Sequence, residues 1–364
     1  MTNLPKLSLY IHIPWCKKIC SYCDFNVFQK NRKIEEDKYI KHLLQDLKND
    51  VVLSSKRKIE TIFIGGGSPG LFKKTSIKYL LDSIKEIILI SKSAEITIEL
   101  NPTISELNKF LHYKYSGINR FSIGIHNVNN NQLKILKNLK NFTIKNVNLN
   151  LMYGLPQQTL KKSLLDLNKI IDLNSKHISW YPFYLEPKNS LYYKKIKLPD
   201  HDIMWNMYKK GEQKLKKAGY TKYAISEYSK KKYKCRHNLN YWRFGDYLGI
   251  GCGAHGKITQ NNGNIIRTIK EKNPKKFMYT NYIYKKYIVP KHQLPYEFFS
   301  NYFRLYEQIP KNNFKKYTNI EEYTIQNEIK KSISQKYLIE TKKYWKTTKK
   351  GKLFLDSFLK LFIK

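Results

Sequence analysis

With 364 residues the chain can bury a large core and is long enough for about two domains. Its 68 Lys and Arg against 28 Asp and Glu give a formal charge of +40, which alone would suit nucleic acid, an acidic membrane surface or an anionic ligand. The cations are nearly all Lys, not the base-reading Arg, and they are scattered among Ile, Asn and Tyr as a drift toward AT-rich codons scatters them; no nucleic-acid partner is expected, while peripheral contact with lipid headgroups stays open.

In chain order, residues 9–13 form an apolar, β-branched run that reads as a buried strand. A loop with Cys16, Cys20 and Cys23 follows, then an amphipathic helix over residues 35–52 with Ile40, Leu43, Leu44 and Leu47 on one face. Strands over 61–64, 95–100, 120–125, 147–152 and 178–184 alternate with helices over 77–90, 105–115, 130–139 and 160–171. Strand and helix thus recur about every 25 to 35 residues, as parallel βαβ units do. Six such units, with Cys16, the Gly65–Gly67 triplet, Glu99, His126 and Tyr153 all at or just beyond strand ends, suggest an incomplete barrel with its site at the C-terminal mouth. A doubly wound open sheet is the rival, and it too would put a ligand there.

Beyond the barrel a helix spans 199–219, an aromatic and turn-rich stretch runs from 220 to 256, and 261–264 is a hairpin turn. The end of the chain reads as helices over 296–305 and 323–333, a hairpin over 338–346, and a closing helix from Gly351 with Leu353, Phe354, Phe358 and Leu361 inward. That order is winged-helix-like. With little Arg to read bases, it suits a lid or docking module. No apolar run reaches the ~18 residues of a membrane span. Five cysteines, three of them clustered, do not make a disulfide framework and point to a reducing, cytoplasmic compartment.

The cysteine loop carries the clearest chemistry. Thiolates bind soft metals, and an ordinary cubane cluster takes four cysteines, whereas the next thiol after Cys23 is Cys235. Three ligands imply one open iron. Zinc prefers C-x2-C pairs and four protein ligands. The Gly65–Gly67 triplet suits either a tight turn or close backbone approach to a ligand. Glu99 is either a hydrogen-bond acceptor in the site or a surface carboxylate. His237 with Tyr241 and Trp242 would suit a packed core, and equally an axial imidazole beside flat faces for a porphyrin. His255 in its Gly-rich loop is a second imidazole candidate, and Cys235 and Cys252 read as small buried hydrophobes.

The spacing C-x3-C-x2-C, with an aromatic before the last Cys, resembles the cluster loop of the radical S-adenosylmethionine (SAM) superfamily. Together with Gly65-Gly66-Gly67-Ser68-Pro69, Glu99-Leu100-Asn101-Pro102, Gly154-Leu155-Pro156, His237-Asn238-Leu239-Asn240-Tyr241-Trp242 and Gly249-Ile250-Gly251-Cys252-Gly253-Ala254-His255-Gly256, it resembles the HemW-type heme chaperones, relatives of oxygen-independent coproporphyrinogen III oxidase, over nearly the whole chain. The resemblance implies an α/β fold in which an incomplete (β/α)6 barrel is followed by a small helical, winged-helix-like C-terminal domain. It divides the chain into a barrel core (1–235), a segment with the heme motif (236–290) and the C-terminal domain (291–364). It implies a 4Fe-4S cluster on Cys16, Cys20 and Cys23, SAM at the open iron flanked by Tyr10 and Tyr22 and met by Gly66, Gly67, Ser68 and Glu99, and heme near His237, Tyr241 and Trp242. Where relatives carry Gln, Arg and Asp as SAM contacts, this chain has His126, Asn138 and Asn150, which exchanges a cation and a carboxylate for amides.

The expected function is therefore heme binding and transfer to an acceptor hemoprotein, a respiratory one. The alternative is radical-SAM decarboxylation of coproporphyrinogen III. Phe25 speaks against it, because the oxidase continues its motif with a further Cys at that position.

Overall fold

The computed structural model describes residues 4–30, 33–125, 128–138, 145–187, 190–194 and 196–363. Six parallel strands, β1 (Leu7–Ile13), β2 (Ile59–Gly66), β3 (Ile90–Leu100), β4 (Arg120–Ile125), β5 (Val147–Tyr153) and β6 (His177–Pro182), lie side by side in sequence order. Helices α1 (Glu36–Val51), α2 (Lys74–Ile87), α3 (Phe110–Tyr115), α4 (Asn130–Asn138) and α5 (Leu160–Asp172) connect them. A doubly wound sheet reverses its strand order part-way. None of the five steps between these strands does, so the helices wrap one face and the strands curl as an unclosed barrel.

Side-chain alternation along each strand explains the curl. On β1, Leu7, Leu9, Ile11 and Ile13 are fully buried under the helices, where α1 supplies Ile40, Leu43 and Leu47. Ser8, Tyr10 and His12 point the other way, into the barrel lumen. The same period puts Thr61, Glu95, Thr97, Glu99, Ser122, Asn148, Asn150, His177 and Ser179 on the inner face. The lumen is polar and the outer layer is apolar.

Neither outer edge of the six strands is left bare. β6 pairs antiparallel with β8 (Glu227–Ser229), which pairs with β7 (Thr221–Ala224). β1 takes β9 (Asp246–Ile250) in parallel, Leu7 opposite Asp246, and the sheet then continues through β10 (His255–Thr259), β11 (Ile265–Lys270) and β12 (Ile283–Ile288). The helix α6 (His201–Lys217) precedes β7, and α7 (Arg236–Trp242) lies between β8 and β9.

Several sequence-based boundaries shift. α2 starts at Lys74 and stops at Ile87, because Ile88 is already extended (φ −143°) and leads into β3. The helix expected over 105–115 is two pieces, Ile104–Leu107 and α3. Near the C-terminus the helix Leu294–Tyr302 is followed by one the sequence reading missed, Asn312–Thr318. The closing helix is broken at Phe354 (φ −112°, ψ 43°) into Lys349–Leu353 and Leu355–Leu359. The break ends the continuous apolar stripe: Leu353 and Phe354 are 47% and 53% exposed, while Phe358 and Phe362 are buried. These helices and the antiparallel strands Ile309–Pro310, Leu338–Glu340 and Tyr344–Thr347 enclose a second apolar core around Phe298, Phe299, Phe314 and Trp345.

Candidate functional site

The cysteine loop leaves the end of β1 and is closed on itself by a two-residue parallel ladder, Trp15–Cys16 against Phe28–Gln29. Lys30 N–H donates to the Cys16 carbonyl at 2.8 Å, and Cys23 N–H turns back onto the Cys20 carbonyl at 3.0 Å. Asn26 fastens the far side of the loop. Its amide donates to the carbonyls of Cys252 (3.1 Å) and Lys272 (3.0 Å), and its own carbonyl accepts from His12 Nε2 at 2.9 Å. That bond makes His12 Nδ1 the acceptor of the Tyr10 hydroxyl, 2.9 Å away. Asn26 and His12, to which the sequence reading assigns no role, are the clamp of the loop.

Cys16, Cys20 and Cys23 are all half-buried and free of disulfides. Burial, opposed by the Ser68 hydroxyl and reinforced by the neighbouring Cys23 and Cys20, pushes the Cys16 thiol up to about 11. Three neighbouring thiols on one short loop are the donor set of an iron-sulfur cluster. No three His, Cys, Asp or Glu side chains among the described residues gather as a single ion would need; a cubane instead takes each thiolate on its own iron.

The strand ends beside this loop bring in the remaining mouth residues. Gly67 N–H and Ser68 N–H donate to the carbonyls of Ile13 and Trp15, both at 2.8 Å, so the glycine turn lies directly against the cysteine loop. Gly66 has φ +107°, and a Cβ there would lie 2.5 Å from the His12 ring. Only glycine fits. Glu99 accepts from Gly66 N–H at 3.2 Å through Oε2, in space that a Cβ on Gly65 would fill. Tyr22 packs edge-on against Phe183, ring centroids 5.4 Å apart. Asn150, half-buried on the lumen face, donates to Ser122 Oγ (2.9 Å) and accepts from Asn148 (2.9 Å), whose Oδ1 takes the His177 and Ser179 protons.

The structure gathers Tyr10, Cys16, Cys20, Cys23, Gly66, Gly67, Ser68 and Glu99 at the mouth, and it places the His237 motif elsewhere. His237, in the first turn of α7 at the floor of the barrel, lies beside Thr61 of β2 and Glu95 of β3, and its ring is separated from Tyr10 by Phe63 (ring centroids 5.0 Å from His237 and 6.3 Å from Tyr10). It is 3% exposed. Its Nδ1 meets Thr61 Oγ1 at 2.8 Å and its N–H donates to Glu95 at 3.0 Å, while Phe63 and Tyr241 flank the ring. Asn240 donates to Ser8 Oγ (2.8 Å) and to the Asp246 carbonyl (2.9 Å). α7 is thus a polar plug matched to the polar lumen. Tyr241 stacks on Tyr247 at 4.0 Å, and Trp242, half-buried, lies beside Tyr223 and Arg304. Cys235 caps α7 and Cys252 donates to the Lys272 carbonyl at 2.6 Å, both fully buried. His255, at the start of β10, is exposed.

Comparison with known proteins matches the Radical SAM superfamily over residues 10–165. The chain is 52% identical over 376 residues to the heme chaperone HemW of Buchnera aphidicola subsp. Acyrthosiphon pisum, spanning 100% of both chains. The chain belongs to the HemW family. The HemW of Escherichia coli strain K12 is 43% identical over 376 residues, again covering 100% of each chain. Among solved structures, E. coli coproporphyrinogen III oxidase, described as a radical SAM enzyme, superposes with a TM-score of 0.83 over 99% of this chain and 90% of that one, at 20% identity. That likeness establishes the fold.

Two of the expected SAM contacts escape description: His126 lies outside the described residues, and Asn138 closes α4 with its side chain outside them. Two buried carboxyls, Glu99 at the mouth and Glu227 beside His177 and Ser179 of β6, resist ionisation. Burial pushes Glu99 up to about 7 against the Gly66 N–H and Arg120, and raises Glu227 on β8 to about 7 against Arg120 and Ser179. A carboxyl whose pKa is higher folded than unfolded binds more protons when folded, so its contribution to stability is lost as pH rises from the ordinary 4.5 to about 7. Glu99→Gln is expected to flatten part of that loss in thermal unfolding of the cofactor-free protein, measured across this window. An unchanged slope would mean that Glu99 is already ionised at its lower end.

Proposed function

We propose that this protein binds heme and passes it to an acceptor hemoprotein, a respiratory one, in the cytoplasm, and that it carries a 4Fe-4S cluster on Cys16, Cys20 and Cys23 with SAM at the open iron. The observation that carries the reading is full-length similarity to proteins named heme chaperone HemW at 43% and 52% identity. Tyr10, Tyr22, Gly66, Gly67 and Ser68 would meet SAM, with Glu99 accepting from its polar groups and Asn150 further into the lumen; His126 and Asn138 complete the set by resemblance. The cluster would supply redox chemistry. Residues 1–235 are the cluster-bearing core, 236–290 carry the heme motif, and 291–364 form a winged-helix-like docking module, with lysine-rich surface available for lipid headgroups and no nucleic acid involved.

For heme, His237 is the proposed axial ligand through Nε2, its Nδ1 being engaged by Thr61, with Tyr241 and Trp242 as the aromatic shelf and His255 as the competing imidazole. As folded, α7 covers His237, so ligation there goes with a displacement of α7 from the barrel floor. The rival reading, decarboxylation of coproporphyrinogen III, rests on the shared fold. Phe25, 65% exposed on the cysteine loop, stands where the oxidase has a further Cys. The deciding experiment incubates reconstituted protein with heme, and separately with coproporphyrinogen III, SAM and a reductant. Heme binding near one per chain without porphyrinogen turnover is expected; turnover would overturn the carrier reading.

Asn150→Asp supplies a test of the SAM site. The carboxylate would accept from the Asn148 amide as Asn150 does, and from the Ser122 hydroxyl once that O–H turns from accepting to donating. One charged hydrogen bond is worth ~1.5 to 3 kcal/mol, and calorimetry of the loaded protein should show tighter SAM binding. Unchanged affinity would remove Asn150 from the contact set.

A further inference from the structure

We infer that Glu106 and Asn101 position the Ser68 hydroxyl to donate its proton to the Cys16 sulfur, and thereby set the reduction potential of the cluster that Cys16 helps to hold. The inference rests on the cluster ligation proposed above, adds Asn101 and Glu106, and gives Ser68 a second part that acts through Cys16. Asn101 directly follows β3, in a motif to which the proposed SAM and heme contacts assign no role beyond Glu99.

The geometry is a one-way hydrogen-bond chain. Asn101 Nδ2 donates to Ser68 Oγ at 2.7 Å and to Glu106 Oε1 at 3.1 Å, and Asn101 N–H donates to Glu106 Oε2 at 2.8 Å. A carboxylate only accepts, so Glu106 fixes which end of the Asn101 amide carries the protons. Ser68 Oγ must then accept from Asn101, and its single O–H is left to donate. Cys16 Sγ lies 3.9 Å away, in the range of a hydrogen bond to sulfur.

The chain is built in and enclosed. Glu106 is 4% exposed and Ser68 5% exposed. Thr103 caps the Ile104–Leu107 helix by accepting from Glu106 N–H, which turns the Glu106 carboxylate back onto Asn101. Gly70 leaves the room for it: a Cβ there would lie 2.2 Å from Glu106 Oε2. Burial raises the Glu106 carboxyl above its ordinary range, and the two Asn101 hydrogen bonds and the Lys109 cation, itself bonded to the Gly70 and Phe72 carbonyls, pull the other way toward the ionised form.

Hydrogen bonds to cluster sulfurs stabilise the more negative, reduced state and raise its potential. The test is a redox titration, without SAM, of anaerobically reconstituted full-length protein followed by electron paramagnetic resonance. Ser68→Ala and Asn101→Leu are each expected to move the midpoint to a more negative potential, the double variant no further than Ser68→Ala, and Ser68→Thr to hold the wild-type value. A residue that only shaped the fold would lower iron content and leave the midpoint of the loaded fraction in place. An unmoved midpoint in fully loaded Ser68→Ala overturns the inference, as do shifts from Ser68 and Asn101 that add. Ser68→Ala removes one oxygen, and decides the matter alone if Asn101→Leu fails to fold. Wild-type protein that takes up no iron would instead refute the cluster reading, and this inference with it.

Discussion

Anaerobic reconstitution is expected to load about four irons per chain, and Cys16→Ala, Cys20→Ala or Cys23→Ala is expected to reduce that to background. Only three thiols stand at the mouth, on one loop whose two ends are joined by the Trp15–Cys16 and Phe28–Gln29 ladder and whose far side is clamped by Asn26. With three protein ligands there is no spare thiolate to replace a lost one. Cys235 and Cys252 cannot step in, because each is fully buried and spends its sulfur on the fold, Cys235 toward Asn238 N–H and Glu95, Cys252 toward the Lys272 carbonyl. Cys235→Ala and Cys252→Ala should therefore keep wild-type iron content and show their effect in thermal unfolding. Iron and sulfide assays on the five variants decide it; a full cluster in Cys20→Ala would remove the assignment.

The barrel was legible because its outer face is written in a period of two. Leu7, Leu9, Ile11 and Ile13 alternate with Ser8, Tyr10 and His12, and such runs recur with helices of period 3.6 between them. What a strand's inner residues do was legible only at the mouth, where glycines and cysteines mark the turn themselves. The floor was not. His237, Asn240, Thr61, Ser8 and Glu95 are ordinary polar residues spread over the chain, and their mutual satisfaction appears only once six strands place them in one layer. No local pattern distinguishes an imidazole that plugs a lumen from one that waits for iron. The C-terminal region failed for a related reason: the apolar spacing from Gly351 onward fits one straight helix, and only tertiary packing shows the break at Phe354.

His237→Ala is expected to lower the stability of the protein by about 2 to 4 kcal/mol, the usual cost of emptying a large buried site and leaving a polar partner short of a hydrogen bond. The ring fills the space between Phe63 and Tyr241, and Thr61 loses one of its two side-chain partners. Burial, reinforced by the charge of Arg120, already holds the imidazole down to about 3, so it is neutral at every working pH and its loss removes packing and a hydrogen bond rather than a charge. The cluster loop lies at the other end of the strands, so iron content and the cluster spectrum should stay as in wild type. Heme binding should fall, since the proposed ligand is gone. Loss of fold and loss of ligand must then be told apart, and His237→Asn does so. Its amide occupies the place of Nδ1 and can keep the Thr61 bond, but nothing replaces Nε2. Chemical denaturation should show His237→Asn recovering much of the stability lost in the Ala variant, while heme titration shows it as deficient as Ala. Recovery of heme binding along with stability would make His237 a residue of the barrel floor alone, and a heme-deficient His255→Ala in the same series would move the ligand to the exposed imidazole of β10.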